Sequence, residues 1–203
     1  MTMSEKLNAA PKRPESVVEA GAELEARVSG NSANAAIIGI GNRLLRDDGV
    51  GPRVIDALEE SQDLPEGVRL FDAGTTGFLA LEAMSGCERA IVVDAIQTGK
   101  EPGTVQEYRF KDGEFSEEIP QMTMHDISFT EALIYAREVY ELPTDVRIIG
   151  VEPESLSTGL ELTTPVTAAI PEILDRIASY EPLIDPEQLA EYQVRPPQMV
   201  KDR

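Results

Sequence analysis

Asp47 and Asp48, Asp94 and His125 lie far apart in the chain, yet their side chains are the ones best suited to holding a cation; His125 is the single histidine. Carboxylates plus one imidazole form a mixed oxygen and nitrogen set that suits zinc, nickel, iron or manganese and leaves positions open for a substrate. Each residue also has a plainer reading. An aspartate just before a helix is usually an N-cap, so Asp47 or Asp48 alone carries little weight. Asp126 can cap a helix in the same way, leaving His125 as an ordinary polar residue ahead of it. Asp94 is harder to dismiss. It sits near the end of the apolar run RAIVVDAI (89–96), where a carboxylate is partly desolvated and needs a partner.

Only a fold can bring these residues together, and the pattern of the chain points to one. AAIIGI (35–40), VRLFDAG (68–74), RAIVVDAI (89–96) and VRIIGVE (146–152) are short apolar runs that predict strands. The third is the most β-branched and is expected at the centre. TVQEYRF (104–110) alternates like an edge or antiparallel strand. Helical spacing predicts helices over 50–60, 76–84, 125–140 and 164–180, with Pro52 and Pro165 tolerated in first turns and a kink expected at Pro171. The third is expected to face the core through Ile127, Ala132, Leu133, Ala136 and Val139 or Tyr140. Alternating strands and helices predict an α/β three-layer sandwich: an open, mostly parallel, five-stranded twisted sheet with helices on both faces.

In such a sheet, ligands bind beyond the carboxyl ends of the strands. Five segments fall there: 41–51, 72–77, 94–99, 123–126 and 152–155. Asp48, Asp94 and His125 are thereby expected on one edge.

The ends differ from the middle. Residues 1–34 are rich in Ala, Glu, Ser, Pro and Asn and read as an extension, with at most a short helix over 14–28 weakened by Gly21. Residues 181–203 carry Pro182, Pro186, Pro196 and Pro197 and read as a tail. Residues 35–180 are expected to form a single domain, since 203 residues are too few for two ordinary ones. The formal charge is −19, of which −16 falls on residues 35–180. That balance argues against nucleic acid and anionic membranes, both of which need basic surface. No apolar stretch approaches the ~20 residues of a membrane span. The start lacks a signal-peptide pattern, and the one cysteine, Cys87, has no disulfide partner. A soluble cytoplasmic protein, monomeric for want of an exposed apolar helix stripe, is expected.

Two other chemistries fit poorly. GIGNRL (39–44) begins like a dinucleotide fingerprint, and Asp72 ends the second strand where a ribose-binding acid would sit. However, Leu44 replaces the third glycine, and Asp47 and Asp48 place negative charge where a pyrophosphate would lie. A dinucleotide-binding oxidoreductase is therefore a weak alternative. A serine or cysteine nucleophile would have to use His125 as its base. Cys87 precedes the third strand while Asp94 lies at its other end, about 20 Å away at ~3.3 Å per residue, so a histidine beside Asp94 cannot serve that thiol. Thr75 and Thr76 have no evident base.

The loops IIGIGNRLLRDDGVG, DAGTTG, VVDAIQTGKEPGTV, MHDIS and IIGVEPES followed by LTTPV resemble, in the same order, the nickel–iron hydrogenase maturation proteases. The resemblance runs from about Ala35 to Tyr180. It implies an endopeptidase that removes a short C-terminal peptide from the hydrogenase large-subunit precursor once nickel has been inserted. It also implies that Asp48, Asp94 and His125 contact nickel supplied by the substrate. At the first of these positions the family carries Glu or Asp, and aspartate reaches one methylene less. Catalytic roles stay open among Asp48, Asp94, His125, Asp72 and Thr75, with Asp72 or Thr75 as candidates for positioning the peptide. The isolated protein is expected to hold little metal, or a surrogate such as zinc or cadmium. The main alternative is a nickel-dependent checkpoint protein that recognises the same precursor without cutting it.

Overall fold

The computed structural model describes residues 35–60, 67–111, 114–115, 129–136 and 139–180. The expected extension over 1–34, the tail over 181–203 and His125 lie outside the described residues.

Among the described residues six strands form one sheet: β1 (Ala35–Ile40), β2 (Val68–Gly74), β3 (Arg89–Ala95), β4 (Val105–Lys111), β5 (Glu114–Phe115) and β6 (Asp145–Val151). Their spatial order is β2-β1-β3-β6-β4-β5. Pairings among β2, β1, β3 and β6 are parallel, and β4 runs antiparallel to both β6 and β5. The architecture is the expected α/β class, with β3 central and β4 antiparallel. The sheet has six strands rather than five. The added β5 pairs only Phe110 with Phe115 and Lys111 with Glu114, a hairpin too short to show alternation in sequence.

Among the described residues four α-helices accompany the sheet: α1 (Val50–Glu60), α2 (Gly77–Met84), α3 (Phe129–Ala136) and α4 (Thr164–Ala178). On one face, Ile37, Ile91, Val93 and Ile149 pack with Val54, Ile55 and Leu58 of α1 and with Val166, Ile173 and Ile177 of α4. On the other, α2 packs on β1 and β2, and α3 packs on α2. Strands covered on both faces must be apolar throughout, and all six positions of β1 are buried.

The last helix runs through Pro171 as expected, and one detail departs from the expected helices. The described part of the third helix begins at Phe129, and Val139 lies in a turn beyond it, 79% exposed rather than facing the core. Leu133 and Ala136 are buried as expected, but Ile134 and Tyr135 are exposed.

The glycine-rich start of the domain has a steric reason. A Cβ on Gly51 would collide with the carbonyls of Ile40 and Val93, so only glycine lets the first turn of α1 rest against both β1 and β3. Gly41 has φ +140°, and a Cβ there would strike the Asp48 carbonyl. The loop bearing Asp48 thus folds tightly back on the end of β1.

Candidate active site at the carboxyl edge of the sheet

The chain leaves β1 through α1 to β2 on one side, then crosses through α2 to β3 on the other. Opposite directions of travel leave a crevice between the carboxyl ends of β1 and β3, the usual ligand position in such sheets. Asp48 and Asp94 both belong to this crevice. Asp48 lies on a 3₁₀ turn (Arg46–Gly49) that follows β1, and its Oδ2 accepts the Asn42 N–H at 2.8 Å. Asp94 is the penultimate residue of β3; it is buried, and its Oδ1 accepts the Ala95 N–H at 2.8 Å. Burial first, and the charge of Asp48 second, push the Asp94 carboxyl well above the usual carboxylate range, against the pull of the Ala95 N–H. A desolvated carboxyl beside another acid is the arrangement that a bound cation relieves.

Neither acid of the 47–48 pair serves as a helix cap. Asp47 is fully buried, and its carboxylate accepts the N–H groups of Glu154, Ser155 and Thr163 at 2.9, 2.9 and 2.7 Å, and the Thr163 hydroxyl at 2.9 Å. It fastens the β1–α1 loop to the segment between β6 and α4. Backbone bonds from Arg46 N–H to the Gly159 carbonyl and from Gly159 N–H to the Leu44 carbonyl reinforce the seam. In sequence the two acids are adjacent and alike. Their division of labour, one tying loops and one at the crevice, had no local signal.

Asp72 stands on the other side of β1, at the end of β2, and is exposed. Its Oδ2 accepts Arg43 Nη2 at 2.8 Å and Nε at 3.1 Å, and its Oδ1 accepts the Gly74 N–H at 2.9 Å. Thr75 follows, exposed in the turn before α2. The Gly41 N–H donates to the Gly74 carbonyl at 2.7 Å, joining this turn to the loop that bears Asp48.

Glu152, just past β6, escaped the sequence reading. It is buried beneath the β3–β4 loop and accepts the Thr98 N–H at 2.7 Å, the Thr98 hydroxyl at 2.6 Å and the Gly99 N–H at 3.1 Å. Burial would raise its carboxyl, yet these bonds outweigh burial and hold it below the usual range. Cys87 is buried at the start of β3, at the opposite edge. Desolvation pushes its thiol up despite the nearby Arg69, which makes it a poor nucleophile.

The fold therefore unites Asp48 with Asp94, places Asp72 and Thr75 on the neighbouring rim, and leaves His125 outside the described residues. Among the described residues no group of three acids, histidines or cysteines is positioned to hold a metal. Around the same edge, Leu44, Phe78 and Leu160 are 61%, 59% and 60% exposed.

Comparison with known proteins points the same way. Residues 52–180 match the family model described as hydrogenase maturation protease. The hydrogenase 2 maturation protease of Escherichia coli K12 is 33% identical over 147 residues, covering 70% of this chain and 86% of that protein. Among solved structures, the hydrogenase maturating endopeptidase HybD of E. coli superposes with TM-score 0.60 at 33% identity, covering 71% of this chain and 90% of that one. A hydrogenase 2 maturation peptidase from a Thaumarchaeota archaeon does so with TM-score 0.55 at 31% identity, covering 71% and 95%.

Proposed function

Because this chain belongs to the hydrogenase maturation protease family and is a peptidase, we propose that it removes the C-terminal extension of a nickel–iron hydrogenase large-subunit precursor. The substrate is the nickel-loaded form, and Asp48, Asp94 and His125 contact the nickel that the precursor's thiolates already hold. The observation that supports this reading best is the pairing of Asp48 with a buried, electrostatically strained Asp94 at the switch point of the sheet. Burial and the charge of Asp48 both disfavour ionised Asp94, a penalty that a bound cation offsets.

The donor chemistry accounts for the metal coming with the substrate. Carboxylates and one imidazole, without thiolate, bind nickel modestly, whereas cysteine thiolates hold it firmly. Ligands added by the enzyme then favour loaded over empty precursor, and that difference of affinities is the selectivity. Zinc or cadmium serves as a stand-in for the isolated protein. The exposed Leu44, Phe78 and Leu160 suit a polypeptide substrate, which brings apolar side chains of its own. Asp72 and Thr75 lie on the rim where such a chain would enter.

The test is cleavage of purified precursor, followed as mass loss of the large subunit. Nickel-loaded precursor is cut and nickel-free precursor is not. His125→Ala, Asp48→Asn and Asp94→Asn each slow the reaction by about 100-fold or more, beyond the cost of losing an outer partner of a metal ligand. Equal cutting of loaded and empty precursor, or a normal rate with His125→Ala, sinks the nickel reading.

A further inference from the structure

Arg43 makes more of its guanidinium than any purely solvated arginine would. Nη1 donates to Asp56 Oδ2 at 2.6 Å and Nη2 to Asp56 Oδ1 at 2.9 Å, a bidentate fork onto α1. Nη2, whose two hydrogens are shared among three acceptors, also reaches the Pro52 carbonyl at 3.1 Å. Nε and Nη2 together hold Oδ2 of Asp72 on β2, at 3.1 and 2.8 Å. One planar group thereby ties the Asp48-bearing loop, the start of α1 and the end of β2. Its backbone lies directly behind the candidate site as well. The preceding residue, Asn42, donates its N–H to Asp48, and a Cβ on Gly49 would come within 3.2 Å of the Arg43 Cα.

The effect on Asp72 can be counted. A carboxylate has about four lone-pair positions. Two bonds from Arg43 fall on Oδ2 and one from the Gly74 N–H on Oδ1, which leaves one acceptor position on Oδ1. The guanidinium, shared with Asp56, also offsets part of the charge that would make Asp72 compete for a cation. Asp48 and Asp94, in contrast, have no arginine or lysine among their described hydrogen-bond partners.

We propose that Arg43 is a positioning residue: it locks Asp72 as a fixed, partly charge-compensated acceptor for one peptide N–H of the precursor, and so weakens its competition with Asp48 and Asp94 for a cation. This rests on the protease reading above. Lysine cannot take over the role, because a single ammonium on a flexible stem cannot fork onto two carboxylates at once.

A double-mutant cycle of Arg43→Gln and Asp72→Asn, read as kcat and KM on nickel-loaded precursor, tests the idea. Each single variant is expected to lose kcat by about 10-fold or more, as misplacement of a substrate-positioning group does. The double variant should be no slower than Asp72→Asn alone. Losses that multiply, a silent Asp72→Asn, or a wild-type kcat in Arg43→Gln overturns the proposal. Should Arg43→Gln fail to fold, Arg43→Lys takes its place in the same cycle. Failure of the wild-type protein to cleave overturns the protease reading, and this inference with it. Cleavage by the wild type with an additive cycle overturns this inference alone.

Discussion

Asp47 and Asp48 are adjacent acids with different jobs, and the difference is set by what surrounds each carboxylate. Asp47 accepts three backbone N–H groups and one hydroxyl with no exposure to water. Truncating it strands buried donors, each of which costs about 1–3 kcal/mol when unsatisfied. Asp47→Ala is therefore expected to destabilise the protein by about 3 kcal/mol or more, a fall in Tm on the order of 10 °C for a chain of this size. Thermal melting by circular dichroism measures it, and an unchanged Tm would show that the loop seam contributes nothing. Asp48, whose carboxylate accepts one backbone N–H, should tolerate Asn with little change in Tm while losing activity. At this scale the sequence indicated the residue types and the edge they share. It could not indicate which aspartate was which, because both roles depend on partners more than 100 residues away or on another strand.

Strand pairing carries its own electrostatics. Arg109 on β4 faces Asp145 on β6 with Nε–Oδ1 at 2.8 Å and Nη2–Oδ2 at 2.6 Å, across a directly paired segment. The Arg109 guanidinium holds the Asp145 carboxyl below its usual range, against some desolvation. A carboxyl lowered in the folded state stabilises above its unfolded pKa, near 3.9, and loses that contribution as pH falls through the folded value. Asp145→Asn should thus cost up to about 1 kcal/mol at pH 7, a modest figure because Arg109 is 41% exposed. The gap from wild type should close as pH drops below about 4, measured by urea denaturation across that range. A gap that persists at pH 2 would assign the effect to packing. Helix and strand types were legible from apolar spacing, while β5 and the end of α3 were not. Two-residue pairings and helix termini have too few positions to establish a period.

Across the molecule, acid outweighs base, with a net charge of −19 of which −16 falls on residues 35–180. Among the described residues, the arginine–carboxylate pairs engage only a minority of the acids. Self-repulsion should dominate, so raising sodium chloride from about 10 to about 150 mM, which shortens the Debye length from ~30 to ~8 Å, is expected to raise Tm by a few degrees. A falling Tm would mean that the ion pairs dominate instead. Among the described residues no helix is long and apolar enough to cross a membrane. The sequence alone determined the α/β class, the central place of β3, the edge on which Asp48 and Asp94 meet, and the likeness to the maturation proteases. Those follow from periodicity and from loop motifs, which are local. Only the tertiary structure decided that Asp47 is a loop fastener, that Glu152 anchors the β3–β4 loop, and that Arg43 binds α1 and β2 together. Each of those is a pairing between side chains and partners that the chain brings together only by folding, and no local pattern encodes such a meeting.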